Sequence, residues 1–270
     1  MLLFVFAFER DSPEVRVYKT DVGSQLTVQM ATGVHATLNT NTKIYEWKYY
    51  SQWHSELLEG ESLFDVKDTN AQQMHISVCD LDIAATHGEF AVRMYSDRCQ
   101  IIVTAGSAAI SSSHLLPVAL YRNQQAVFQY SDYPTRLSIS ILNDSEIRKK
   151  LSWRYGALQF SHDLIGDAVS ELNRYNRIQV QLSGSEIENM KIDGLFRSND
   201  PLAFAATVRT LDPNISLAID DSRPNQTVLR LGLSTVHIER NHSKTMRHQG
   251  NPSEQSGSPG LEKERSRSVH

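Results

Sequence analysis

The residues that could do chemistry in this chain are few and poorly placed for it. Ser111, Ser112, Ser113 and His114 set hydroxyls beside an imidazole, but neighbours along a strand point to opposite faces, and a nucleophile needs a base that meets it in space. No Gly-x-Ser-x-Gly elbow accompanies them, so the run reads as a polar turn. Of the ten histidines, His35, His54, His75 and His87 are scattered and lack HExxH or paired spacing, which argues against a metal centre. Glu59, Glu61 and Asp65 flank Gly60 in a strand-like stretch. There they read as a solvated edge that discourages strand addition rather than as an acid and a base. The two cysteines, Cys79 and Cys99, follow no CxxC or zinc pattern, so they carry no redox or metal signal. These residues predict no catalytic site, no metal and no cofactor; the chain does not read as an enzyme.

The elements that carry these residues are strands over the first half. Apolar residues alternate at Leu26, Val28 and Met30, at Val34, Ala36 and Leu38, at Met74, Ile76 and Val78, and at Phe90, Val92 and Met94. This is the two-residue period of strands with one buried face. Gly23, Gly33, Gly60, Gly88 and Gly106 punctuate the segments. Many short strands at regular spacing suggest a sandwich or a solenoid of stacked β coils, and periodicity alone does not choose between them. The same alternation sends Cys79 outward and Cys99, which shares parity with Ile101 and Val103, inward; side chains on opposite faces predict two free thiols.

Beyond a polar break at Asn143 to Lys150 the pattern changes. Leu158 and Phe160 make a short strand, and Ile165, Ala168, Val169 and Leu172 share a helical face, with Asp163 as N-cap and Asp167 in the first turn. Strands follow at Ile178 to Leu182 and at Met190 to Phe196. Asp200-Pro201 then starts a helix with the stripe Phe204, Val208 and Leu211, which Pro213 ends. Strands at Ile215 to Ile219 and Val228 to Leu231 complete a β-α-β-β-α-β-β order, an α+β unit with two helices on one face of a small sheet. Residues 150–232 are expected to fold alone.

Composition sets the outer bounds. The 270 residues, 40% hydrophobic and 21% charged, suit one large or two ordinary globular domains. A net charge of -4 and a pI near 6.2 argue against a nucleic-acid surface. Met1 to Phe8 is an apolar run far short of the ~20 residues of a membrane span; a buried first strand is the alternative reading, since short apolar runs are ambiguous by periodicity. The stretch from Asn241 to His270 holds Ser, Gly, Pro and mixed charges with almost no large apolar residue, so residues 233–270 read as a disordered tail.

Three spaced signatures give a more specific lead: Gly-Ser-Gln-Leu-Thr-Val from Gly23, Leu-Glu-Gly-Glu-Ser-Leu-Phe-Asp-Val from Leu58, and Trp-Arg-Tyr-Gly-Ala-Leu-Gln-Phe from Trp153 leading to Glu171-Leu172-Asn173-Arg174-Tyr175. In that order they resemble the FecR family, membrane-anchored periplasmic regulators that pass a signal from an outer-membrane TonB-dependent transducer to an extracytoplasmic-function sigma factor. Ala36-Thr37-Leu38-Asn39 resembles the family's Val-x-Leu-Asn, and Gly88-Glu89-Phe90-Ala91-Val92 its Gly-Thr-x-Phe-x-Val with one residue fewer. Ala105-Gly106-Ser107-Ala108 stands where the family has Glu-Gly-x-Val.

The resemblance implies an α+β, two-domain protein. An all-β FecR domain of stacked short strands would span residues 13–145. A small domain similar to the short N-terminal domains of secretins and TonB-dependent receptors would span 150–232, carried also by Ile192-Asp193-Gly194-Leu195-Phe196 and Asp200-Pro201. Residues 1–12 would be the remnant of a transmembrane helix. In the family a cytosolic segment that contacts the sigma factor precedes that helix and is absent here, so the full-length protein would be periplasmic and anchored to the inner membrane. Implied partners are the transducer's signalling domain and the sigma factor, with iron–siderophore uptake as the commonest context; the alternative is a periplasmic binding or scaffold module. The residues expected to bind a partner are Asn173, Arg174, Tyr175 and Arg197, the first three as a surface group at a helix end.

Overall fold

The alternating apolar residues of the first half pair into one large sheet. The computed structural model describes residues 14–49, 52–67, 74–113, 115–130, 136–223 and 226–233. The apolar start, His114 and the tail lie outside them. The described strands up to residue 141 are β1 (Val15–Lys19), β2 (Leu26–Gln29), β3 (His35–Leu38), β4 (Lys43–Tyr49), β5 (Gln52–Glu59), β6 (Glu61–Val66), β7 (Met74–Val78), β8 (Leu81–Ala85), β9 (Gly88–Met94), β10 (Arg98–Ser112), β11 (Leu115–Tyr121), β12 (Gln124–Gln129) and β13 (Arg136–Ile141). They run in the order β1-β4-β5-β7-β8-β10-β9-β6-β3-β2, with β11 and β12 also on β10 and β13 on β12. Only β5 and β7 pair in parallel among them.

β10 decides the shape. Its first residues pair with β9 and β12 and its last with β8 and β11. A register shift between Val103 and Ala105 bends it between the two, as a bulge does. The sheet therefore folds over on itself and nearly closes, a sandwich-like arrangement rather than stacked coils. Ile44, Ile76, Ile83 and Ile110 from one side meet Leu38, Phe64, Phe90 and Ile101 from the other in a single core.

The expected free thiols are not observed: Cys79 and Cys99 form a disulfide, with Cα atoms 6.3 Å apart. Cys99 is fully buried, as its parity requires. Cys79 escapes the alternation because β7 ends at Val78. Cys79 and Asp80 form the two-residue turn to β8, with φ of 50° and 63°, the positive pair of a type I′ hairpin. The turn rotates the thiol off the outward face and onto the rim of the core.

The second half begins with a helix where a polar break was expected. α1 (Asp144–Lys150) buries no residue, so it shows no apolar stripe; an Asn143/Glu146 capping box starts it. A single 3-10 turn, Ser152–Tyr155, leads to β14 (Ala157–Leu164), α2 (Ile165–Asn173), β15 (Gln179–Ser183), α3 (Ser185–Glu188), β16 (Lys191–Arg197), α4 (Pro201–Leu211), β17 (Ile215–Arg223) and β18 (Gln226–Leu233). The expected order holds with α3 added, but the strands form two sheets rather than one: β14-β16, and β15-β18-β17 with β15 parallel to β18.

Asp200 caps α4 as expected, accepting from the Ala203 N–H at 2.9 Å. Asp163 does not cap α2. The N-cap is Leu164, with no side-chain bond, and the Asp163 carboxylate instead pairs with Lys149 at 2.6 Å.

The two halves are not closed off from each other. Trp153, Phe160, Ile165, Leu172, Phe204 and Val208 form the core of the second, and the same cluster takes in Leu63 of β6 and Ala91 of β9. These two are cross-strand partners on the outer face of the sheet, opposite Phe64 and Phe90. The second half thus borrows apolar surface from the first, and the described residues belong to one compact unit.

Candidate functional site: a charged joint between the halves

Around that shared apolar patch lies a cluster of polar side chains drawn from both halves. Glu61, first residue of β6, sits directly opposite Arg93 of β9. From the last turn of α2, Glu171 reaches Arg93 at 2.6 Å, and Arg174, one helical turn on, reaches Glu171 at 2.7 Å and Glu61 at 3.2 Å. Two carboxylates and two guanidiniums therefore alternate across the joint. Asn39, after β3, donates through Nδ2 to Glu61 Oε2 at 2.9 Å and to Tyr175 Oη at 2.7 Å. The Thr40 hydroxyl donates to the Arg174 carbonyl and accepts from the Gly23 N–H. Gln25 Nε2 donates to the Trp153 carbonyl at 2.6 Å.

Two glycines shape the joint, Gly60 inside the β half just ahead of Glu61 and Gly23 against the other half. Gly60 has φ of 89°, and a Cβ on it would lie 2.6 Å from the Asn41 carbonyl oxygen. Gly23 has φ of 82°, and a Cβ there would lie 2.8 Å from the Tyr175 carbonyl oxygen. Both need the positive φ and the absent side chain that glycine alone supplies.

Burial makes the charges matter. Glu61 is 4% exposed, so its charge is tolerable only because it is paired and hydrogen-bonded. Burial alone raises the Glu171 pKa, but the positive charges of Arg174 and Arg93 outweigh it and hold the carboxyl below its ordinary value. Burial opposes the Arg174 charge, and Glu171 and Glu61 more than offset it, so its pKa is raised. Tyr175 is raised by burial and then by Glu61 and Glu171. A depressed carboxyl contributes stability that is complete above its unfolded pKa and is lost as pH falls through the folded one; a raised phenol contributes stability lost as pH rises above the unfolded pKa. The joint is therefore expected to be strongest between about pH 5 and pH 9. Denaturant unfolding of Glu171→Gln against wild type checks this. The stability difference should be constant at neutral pH and shrink below about pH 4; a difference independent of pH down to pH 2 would contradict it.

The residues expected to bind a partner are placed differently from one another. Asn173 is tied to β15, donating to the Val180 carbonyl at 2.9 Å and accepting from its N–H at 2.8 Å. Arg174 and Tyr175 are not a surface pair: Tyr175 is 4% exposed and both belong to the joint. Arg197 is exposed at the end of β16, while Phe196 beside it packs against Phe160 and Phe204. Glu61, read from sequence as a solvated edge charge, is the joint's most buried ion; its motif position was visible, but its counter-charge lies 113 residues away. A cleft of about 200 Å³ adjoins the joint, lined in part by Arg93, Lys150, Trp153 and Glu171. Among the described residues no group of three or more His, Cys, Asp or Glu side chains is placed to hold a metal, and Ser111 and Ser112 lie within β10.

Residues 16–109 match the family model described as FecR protein. The fold is similar to that of two crystal structures, each of a "putative anti-sigma factor" from Parabacteroides distasonis. One aligns with a TM-score of 0.62 at 18% identity, covering 80% of this chain and 99% of that one. The other aligns with a TM-score of 0.60 at 16% identity, covering 79% and 98%. Coverage of that extent reaches well beyond residue 109, so the shared fold takes in both halves. No curated protein matches the sequence.

Proposed function

We propose, from the match of residues 16–109 to the FecR family model, that this chain is the signal-receiving part of a sigma-factor regulator. In this reading it is periplasmic, takes up a signal from an outer-membrane TonB-dependent transducer and relays it toward an extracytoplasmic-function sigma factor, with iron–siderophore uptake as the setting. Sigma-factor contact is assigned to a segment preceding the FecR domain, beyond a membrane helix. Among the described residues no helix is long and apolar enough to cross a membrane.

The observation that carries the reading is where the signatures meet. Gly23 and Gln25 of the first, Glu61 of the second, and Trp153, Glu171, Arg174 and Tyr175 of the third come together at the joint. A regulator that receives a signal on one half and uses it on the other needs a connection of defined geometry, and an ion network built around the buried Glu61 supplies one. Arg197 is then a direct partner contact, whereas Arg174 and Tyr175 hold the relay together from inside and Asn173 fixes the end of α2 to β15.

Calorimetric titration of the signalling domain of a TonB-dependent transducer encoded beside this gene into the full chain tests the proposal. Saturable one-to-one binding is expected. No binding would put the scaffold reading ahead.

A further inference from the structure

The α+β half exposes two large apolar side chains along one groove. Tyr155 is 83% exposed and Leu195 is 70% exposed, and both line a groove of about 430 Å³. Register explains its floor. β14 and β16 pair Gln159 with Leu195 and Ala157 with Arg197, so these four share the ribbon's outer face, while Leu158 and Phe196 turn to the core. Ile147 and Leu151 of the α1 segment and Glu89 and Thr104 of the β half complete its lining. An occupant would touch both halves at once.

The groove's charge says what would fit. Arg148 lines it and Arg197 continues its floor, and neither forms an ion pair among the described residues. Glu89, the one carboxylate among the described lining residues, is already paired with Arg154 at 3.3 Å. The site is thus an apolar trough with a basic rim and no free acid. We propose that it is the docking site for an acidic, apolar segment of a protein partner, whose apolar side chains cover Leu195 and Tyr155 while its carboxylates pair with Arg148 and Arg197. This deepens the reading of the chain as a receiver and rests on it for the partner's identity, though not for its chemistry.

The test uses the full chain and a fluorescein-labelled ten-residue peptide in which Asp and Glu alternate with Leu and Phe, with a control peptide carrying Lys at the acidic positions. Fluorescence anisotropy should show the acidic peptide binding at least about tenfold more tightly than the control. Leu195→Asp and the double variant Arg148→Glu/Arg197→Glu should each weaken it about tenfold or more. All three positions are outside both cores, and circular dichroism will verify that the variants fold. Equal binding of the two peptides, binding of neither, or variants that bind like wild type would overturn the groove. Titration of the transducer domain against Leu195→Asp separates the two ideas. If the domain binds wild type and variant alike, the groove is not the receiver although the function stands. If it binds neither while the peptide pattern holds, the functional reading fails and the acidic-segment site remains.

Discussion

Arg174→Ala should lower the unfolding free energy by about 3 kcal/mol, the order found when one partner of a buried ion pair is removed. Arg174 bridges Glu61 and Glu171, and its removal leaves Glu61, almost without solvent, with Asn39 as its remaining donor from a side chain. The uncompensated charge, more than the lost contact, sets the size of the effect. Arg197→Ala, at an exposed position without an ion pair among the described residues, should change stability by no more than about 0.5 kcal/mol. Urea unfolding of the two variants makes the comparison, and similar small effects at both positions would show that the joint is a loose surface contact.

Opening the disulfide should have a comparable effect. Cys79 and Cys99 are 20 residues apart in sequence, and closing a loop of that length restricts the unfolded chain by about 3 kcal/mol. The bond ties the β7–β8 turn to the start of β10, the strand on which both sides of the sheet depend. The native mass should be two hydrogens below that of the reduced protein, and reduction should lower the urea midpoint without changing the strand content seen by circular dichroism. Two titratable thiols in the non-reduced, denatured protein would contradict the bond. A persistent disulfide also suits the oxidising periplasm proposed for this chain.

What could be read from the sequence follows from how far a signal extends. Met74, Ile76 and Val78, or Phe90, Val92 and Met94, announce β7 and β9 because one buried face repeats every second residue. β4 gives no such announcement: Glu46 occupies an inward position, fully buried, and is satisfied there by the Tyr18 hydroxyl, the Ala31 N–H and the Ser55 hydroxyl. α1 carries one apolar residue, Ile147, which packs only in part against the second core, so the helix has no apolar stripe and its clearest sequence sign is the Asn143/Glu146 cap. Parity failed at Cys79 because a turn begins one residue before the strand pattern was assumed to end. The joint was the least legible part. Glu61 and Arg174 look like surface charges, and only the packing of the second half over Leu63 and Ala91 brings them together, with Glu61 buried and Arg174 half-buried.

That docking is also the reason to expect the halves to act as one body, contrary to the independent folding that residues 150–232 suggested as a sequence. Differential scanning calorimetry of the full chain measures it most directly. The shared Leu63 and Ala91 contacts and the four-charge joint require a single transition whose calorimetric and van't Hoff enthalpies agree, and Arg174→Ala should move that transition as a whole. Two separate transitions, with Arg174→Ala shifting only one of them, would show that the halves unfold independently and that no signal is carried through the joint.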